Sequence, residues 1–171
     1  MHLDYTLTLA QPNQDEAVWA ILQQGIAKRK QEGSTQWQDG YPNLDVVRTD
    51  IAQAEGYVVT NTEGTVVAYQ VLSARPEPAY EALPTGWLTQ NQPYLVIHRM
   101  AVTQTPKIKG LATWMLQQAE RIATEKGIKS IKVDTNFDNA PMLALFKKLG
   151  YTYVGEVYFR GSARMAFEKI L

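Results

Sequence analysis

Residues 94–116 read YLVIHRMAVTQTPKIKGLATWML, and the fold turns on where this stretch changes its periodicity. Tyr94 to Val102 is dense in apolar and β-branched residues and alternates only loosely, the pattern of a central strand covered on both faces. Thr103 to Lys109 carries Pro106 and two lysines. From Gly110 onward Leu111, Met115, Ala119 and Ile122 fall on one helical face, so a helix begins near Gly110. A helix that starts after a glycine-bearing turn presents unpaired backbone N–H groups and the positive end of its dipole, for which phosphate oxygens are natural ligands.

Spacing separates the known phosphate loops. A Walker A loop needs two glycines five apart followed by Lys and Ser/Thr, whereas Gly110 is followed by Leu111 and Ala112. The G-x-G-x-x-G dinucleotide pattern fails because the turn holds one glycine. Lys107-Ile108-Lys109-Gly110-Leu111-Ala112-Thr113 instead resembles the acetyl-CoA pyrophosphate loop of the GNAT superfamily of acyl-CoA N-acyltransferases. Lys107 stands where that loop has Arg or Gln, Gly110 at its glycine and Ala112 at its small residue; Met100-Ala101-Val102 stands where family members commonly read Leu-Ala-Val. Two departures are the lysine itself and the proline, which is displaced to Pro106. Without the resemblance, a glycine before a helix also reads as a plain turn, and the two lysines as a solvated pair.

A second run supports the same resemblance. Ile131 to Thr135 is a short strand, and Asn139-Ala140-Pro141-Met142 opens a helix with Met142, Leu145, Phe146 and Leu149 on its apolar side. Gly150 closes it, with Lys147 and Lys148 at the negative end of the dipole. Strand, Asn, apolar helix, Lys-Leu-Gly-Tyr and strand is similar to the C-terminal half of GNAT proteins.

Composition narrows the function classes. At 171 residues, 45% hydrophobic and 20% charged, the chain suits one globular domain spanning 1–171. Lys plus Arg equals Asp plus Glu at 17 each, so no net field recruits nucleic acid or an anionic membrane. The N-terminus lacks a basic region followed by an apolar run, and no window approaches a membrane span; a soluble, cytoplasmic protein is expected. With no cysteine, disulfides, thiolate metal sites and a cysteine nucleophile are excluded. Histidines are limited to His2 and His98, so no multi-histidine metal site is expected either.

Along the chain, Tyr5 to Leu9 alternates as a first strand, and Asn13 with Glu16 resembles a capping box. The helix it opens carries Val18, Ile21, Leu22 and Ile26 inward and ends around Lys30 to Gly33. Gly33 to Pro42 is a loop holding Trp37 and Tyr41, whose rings either cover the sheet edge or line a substrate lid. Asn43 caps a second helix with Leu44, Val47, Ile51 and Ala54 at helical spacing and Gly56 ending it. Tyr57 to Asn61 and Thr65 to Leu72 form a hairpin around Thr62-Glu63-Gly64. Ser73 to Pro93, with Pro76, Pro78, Pro84, Pro93, Tyr80 and Trp87, reads as a long structureless connection that arches over the acceptor side or serves self-association. The third helix closes at Gly127. Thr152 to Arg160 and Ala163 to Leu171 are two last strands around a Gly161-Ser162 turn.

The resemblance implies a fold and a reaction. The fold would be α/β (α+β): a GNAT-like mixed, mostly antiparallel twisted sheet of about seven strands with four helices on its faces. The reaction would be acetyl transfer from acetyl-CoA, without a metal, to a primary amine by direct attack in a ternary complex. The acceptor would be a small-molecule or peptide amine, and the protein a monomer or homodimer. An alkyl amine has a pKa of about 10.4, so a base must take a proton. Asp134 and His98 are the candidates, each also readable as structural: a strand-end aspartate receiving loop N–H groups, and a core histidine. The resemblance assigns the cosubstrate to Met100, Ala101, Val102, Lys107, Lys109, Gly110, Leu111, Ala112, Thr113, Asn139 and Phe146. Trp37, Tyr41, Arg99 and Trp87 are candidate acceptor contacts; Arg99 would hold an acidic group or pair on the sheet. Many family members place a proton-donating tyrosine where this chain has Phe146, which has no proton to give. Tyr151 reads as a core aromatic or a substitute acid. The rival reading is a non-catalytic CoA-binding sensor or structural module of the same fold.

Overall fold

The computed structural model describes residues 4–83 and 86–171, so His2 and Pro84 lie outside the described residues. Seven strands are hydrogen-bonded in the order β1-β2-β3-β4-β5-β7-β6: β1 Thr6–Leu9, β2 Gly56–Thr60, β3 Val66–Ser73, β4 Leu95–Val102, β5 Ser130–Thr135, β6 Thr152–Phe159 and β7 Ser162–Ile170. The expected middle strand is β4, fourth of the seven. It runs parallel to β5, while β1–β2, β2–β3, β5–β7 and β6–β7 are antiparallel. Four helices have nine or more residues: α1 Asp15–Gln31, α2 Leu44–Ala52, α4 Leu111–Glu125 and α5 Ala140–Lys148; α3, Pro78–Glu81, is a single turn. The described chain divides into two compact units, residues through Leu72 with His98–Leu116, and Ser73–Ile97 with Gln117–Leu171.

In the first unit, the period-two alternation of β2 sends Val58 to one buried cluster and Val59 to another. Val58 joins Val18, Ile21 and Leu22 of α1, Val47 of α2, Tyr69 and Val71 of β3, and Ala101 of β4. Val59 joins Val67, Ala68, Leu111 and Met115, with Met100, Val102 and Ile108 packed against them. Both faces of β2, β3 and the end of β4 are therefore covered, as the dense apolar run predicts for β4.

Several local expectations give way. The capping box is not Asn13 with Glu16: a 3-10 turn, Pro12–Gln14, precedes α1, and the Gln11 N–H donates to Gln14 Oε1 at 2.8 Å. Ile26 is half-buried. Gly56 does not end α2, since the left-handed position after the helix is taken by Ala54, φ 56°, which is exposed. Gly56 opens β2 instead. Asn43 does cap α2, accepting from the Val46 N–H at 2.9 Å, and Asn61 Oδ1 closes the predicted hairpin by accepting from Glu63 and Thr65 N–H.

In the second unit, Val96, Val157 and Ala166 from the sheet are buried with Tyr80, Trp87 and Tyr94. The Ser73 to Pro93 connection is thus not structureless: it contains α3 and buries two aromatic rings. The Phe146 ring lies tilted against those of Tyr151 and Phe167, with centroids 5.3 and 5.1 Å away. Asn139 and Gly150, φ 85°, terminate α5 as expected, and Gly127, φ 70°, follows α4. The last hairpin turns at Arg160 and Gly161, φ 48° and 75°, one residue earlier than Gly161-Ser162. Among the described residues, no helix is long and apolar enough to cross a membrane, and no group of three or more His, Asp or Glu could hold a metal.

Candidate active site

The first unit holds the loop between β4 and α4. The strand's last rung is the Thr103 N–H donating to Val67 O at 2.8 Å, after which the Gln104 N–H turns to Gln24 Oε1 at 2.7 Å. The Thr105–Pro106 bond is cis. Gln104 and Lys107 form an isolated bridge, and half-buried Ile108 packs against the Leu111 and Met115 cluster. Lys107 and Lys109 are exposed, and Gly110 adopts φ 81°, a conformation that costs glycine little. Trp114 N–H donates to Gly110 O at 3.0 Å, which leaves the amides before it at the open end of the helix. Leu111 is fully buried, and Ala112 and Thr113 are half-buried.

Upstream on β4, Arg99 has φ 47° and His98 and Met100 are half-buried. Arg99 Nε and Nη2 donate to Asp50 Oδ2 and Oδ1 at 2.9 and 2.6 Å, and Nη1 donates to the Tyr41 hydroxyl. The Tyr69 hydroxyl adds a 2.9 Å bond to Asp50 Oδ2. Burial disfavours the Arg99 charge, but the Asp50 hydrogen bonds and charge overcome that and hold its pKa above the ordinary value. Burial first, then the Asp50 charge, push the Tyr69 pKa up. Arg99 is thereby already engaged by a carboxylate of its own chain. Trp37, φ 63°, packs against the α1 cluster, in a loop pinned by buried Arg29, which donates to Ser34 Oγ at 2.9 Å and Gln36 Oε1 at 3.1 Å.

The second unit holds Asp134, Asn139, Phe146 and Trp87. Asp134 Oδ2 accepts from the Tyr80 hydroxyl at 2.6 Å, and Tyr80 O accepts from Trp87 Nε1 at 2.9 Å. Asn139 spends both side-chain ends locally, accepting from Met142 N–H at 3.4 Å and donating to Thr135 Oγ1 at 3.2 Å. Phe146 is 3% exposed. Tyr151 is a core aromatic; burial and, secondly, the Glu120 charge push its pKa up. Lys132 Nζ lies 4.4 Å from the Trp87 ring centroid and 4.0 Å from that of Tyr94.

The sequence reading missed Asp50, Tyr69, Tyr80 and Lys132. Asp50 had a signal, since it lies three residues after Val47 on the inward side of α2. Tyr80 had none, because its partner lies on a distant strand.

The model of the acetyltransferase (GNAT) family matches residues 19–151. The chain belongs to that family. A GNAT acetyltransferase structure from Streptococcus agalactiae 2603 is 31% identical, with a TM-score of 0.87 over 98% of this chain and 95% of that one. Two further structures share the fold: a GNAT acetyltransferase from Listeria monocytogenes 4b F2365 (18% identity, TM-score 0.79, 99% and 96% covered) and Ard1 from Thermoplasma volcanium (16%, 0.70, 99% and 99%). No curated protein matches the chain. The seven-stranded, mostly antiparallel sheet accords with the GNAT assignment.

Proposed function

We propose that the protein is an N-acetyltransferase that moves an acetyl group from acetyl-CoA to a primary amine, by direct attack in a ternary complex. The observation that carries this is the Gly110 turn, whose left-handed backbone opens α4; the Leu111 N–H reaches back to Ile108 O at 3.4 Å, and the neighbouring amides of Lys109 to Thr113 are proposed for phosphate oxygens. The exposed Lys107 and Lys109 add positive charge beside them. Acetyl-CoA, when bound, supplies the activated acyl group. An amide within Met100 to Val102 would hydrogen-bond the thioester carbonyl, where negative charge develops. Asn139 and Phe146 are proposed for the pantetheine arm, and Trp37, Tyr41, Arg99 and Trp87 for the acceptor. Asp134 or His98 takes the amine proton. The absence of cysteine rules out a cysteine acyl-enzyme.

Isothermal titration of acetyl-CoA tests the reading. Saturable binding is expected for the wild type and loss of binding for Gly110→Glu, because a side chain at φ 81° is strained and the carboxylate repels phosphate. A thermal melt shows whether the variant is folded. Absence of binding to acetyl-CoA and related acyl esters by the wild type overturns the reading. Binding without thiol release across an amine panel would instead favour the CoA-binding module, for which Phe146 speaks.

A further inference from the structure

Strand alternation places Lys132 and Asp134 on one face of β5, a face whose composition suggests solvent. The connection after β3 covers it. Tyr80, 1% exposed, stands with its ring 5.2 Å from Trp87 and 6.3 Å from Phe159, edge-on at 78°. Its main chain is held as well, through the carbonyl that Trp87 Nε1 bonds. The phenol therefore has one direction, and its hydroxyl ends 2.6 Å from Asp134 Oδ2.

We propose that Tyr80 is a positioning residue for acetyl transfer: its buried hydroxyl fixes the direction of the Asp134 carboxylate, and Asp134 accepts the proton of the attacking amine. The inference rests on the transferase reading above and chooses between its two candidate bases. A hydrogen bond donated to a carboxylate favours the charged form. Tyr80 itself stays protonated, since burial and then the Asp134 charge raise its pKa, so it donates throughout the neutral range. Other charges around the phenol have donors or partners of their own. On the connection, Glu77 accepts from the Ala79 N–H and Glu81 from the Tyr94 hydroxyl. On β5, Lys132 lies against the Trp87 and Tyr94 rings. On β7, Glu168 accepts from Leu88, Thr89 and Ser130, and Arg164 donates to Ser162 and Asn136. On β6, Glu156 accepts from Tyr158.

Asp134 takes one proton from R–NH3+, and the freed nitrogen lone pair attacks the thioester carbonyl carbon. The C–S bond breaks with its electron pair on sulfur, a second nitrogen proton passes to the thiolate, and the products are the amide and the CoA thiol. Asp134 returns its proton to solvent.

The test is a 13C NMR titration of the Asp134 carboxyl carbon in the wild type and in Tyr80→Phe, which keeps the ring and removes only the hydroxyl. Tyr94→Phe, which deletes a neighbouring hydroxyl bonded to Glu81, is the control. The Asp134 midpoint should rise by about one pH unit or more in Tyr80→Phe, a tenfold gain in proton affinity, and stay in place in Tyr94→Phe. The acid limb of the kcat/KM profile for amine acetylation should move with it. If Tyr80→Phe fails to fold, 3,5-difluorotyrosine at the same position, a stronger donor, should lower the midpoint. An unchanged midpoint in a folded variant, or full transfer by Asp134→Asn, overturns the proposal. Lack of acetyl-CoA binding by the wild type overturns the transferase reading and with it the catalytic role, a failure distinct from an unmoved carboxyl titration.

Discussion

A Cβ added to Gly56 would lie 2.5 Å from the Tyr69 hydroxyl oxygen and 3.1 Å from its Cε1, closer than real Cβ atoms approach. The glycine is thus required by a neighbour and not by a helix end. Tyr69 is fully buried and supplies one of the donors to Asp50, whose other partner is Arg99 on the central strand. Gly56→Ala must push the ring away and leave a buried carboxylate one donor short. It should cost about 1–3 kcal/mol by urea unfolding, the penalty of an unmet buried polar group. Tyr69→Phe should cost a similar amount, and the double variant less than the sum of the two, because both break the same bond. Additive costs, or a Gly56→Ala variant as stable as the wild type, would show that the ring is not held by the glycine's space.

The connection between β3 and β4 is the element whose placement depends on a buried charge. Glu168 on β7, 0% exposed, accepts from the Leu88 N–H at 2.6 Å, Thr89 Oγ1 at 2.5 Å and Ser130 Oγ at 2.7 Å, and its charge supports Lys132. Glu168→Leu strands three donors and a cation. We expect about 3–5 kcal/mol of destabilisation, with faster hydrogen exchange at Leu88 appearing before any loss in the β5–β7 ladder. Unchanged exchange at Leu88 would mean that the connection is held by its aromatic rings alone. This element also marks where sequence reading stops. The β4 run, the α4 and α5 faces, the Asn43 and Asn139 caps and the Asn61 turn were legible because their determinants lie within a few residues of one another. The 103–113 loop was legible for the same reason. Residues 73–93 have prolines and aromatics without a period, and Tyr80, Trp87 and Leu88 find their partners on β5 and β7. Nothing in the sequence around Lys132 and Asp134 signals what covers the β5 face that bears them.

For the molecule as a whole, the alkaline response should come from buried tyrosines. Burial raises the pKa of Tyr69, Tyr80, Tyr94 and Tyr151, with Asp50, Asp134, Glu81 and Glu120 respectively as the next cause; for Tyr94 the value is pushed up to about 12. In the unfolded chain each titrates near 10. The folded state therefore binds more protons above that pH. Each ring contributes stability that is fully present below about pH 10 and is lost as pH rises towards its folded value, at up to about 1.4 kcal/mol per pH unit. Lys132 has the opposite sign: burial lowers its pKa, so its contribution is present above about 10.4 and is lost as pH falls through its folded value. Stability from urea unfolding should fall steeply from pH 10 to 11.5, with a slope approaching about four protons, and Tyr94→Phe should remove about one of them. The slope is the readout, because losing the 2.6 Å bond from Tyr94 to Glu81 lowers the stability at every pH. A flat profile to pH 11.5 would mean that water reaches these hydroxyls and that their rings do not close the core.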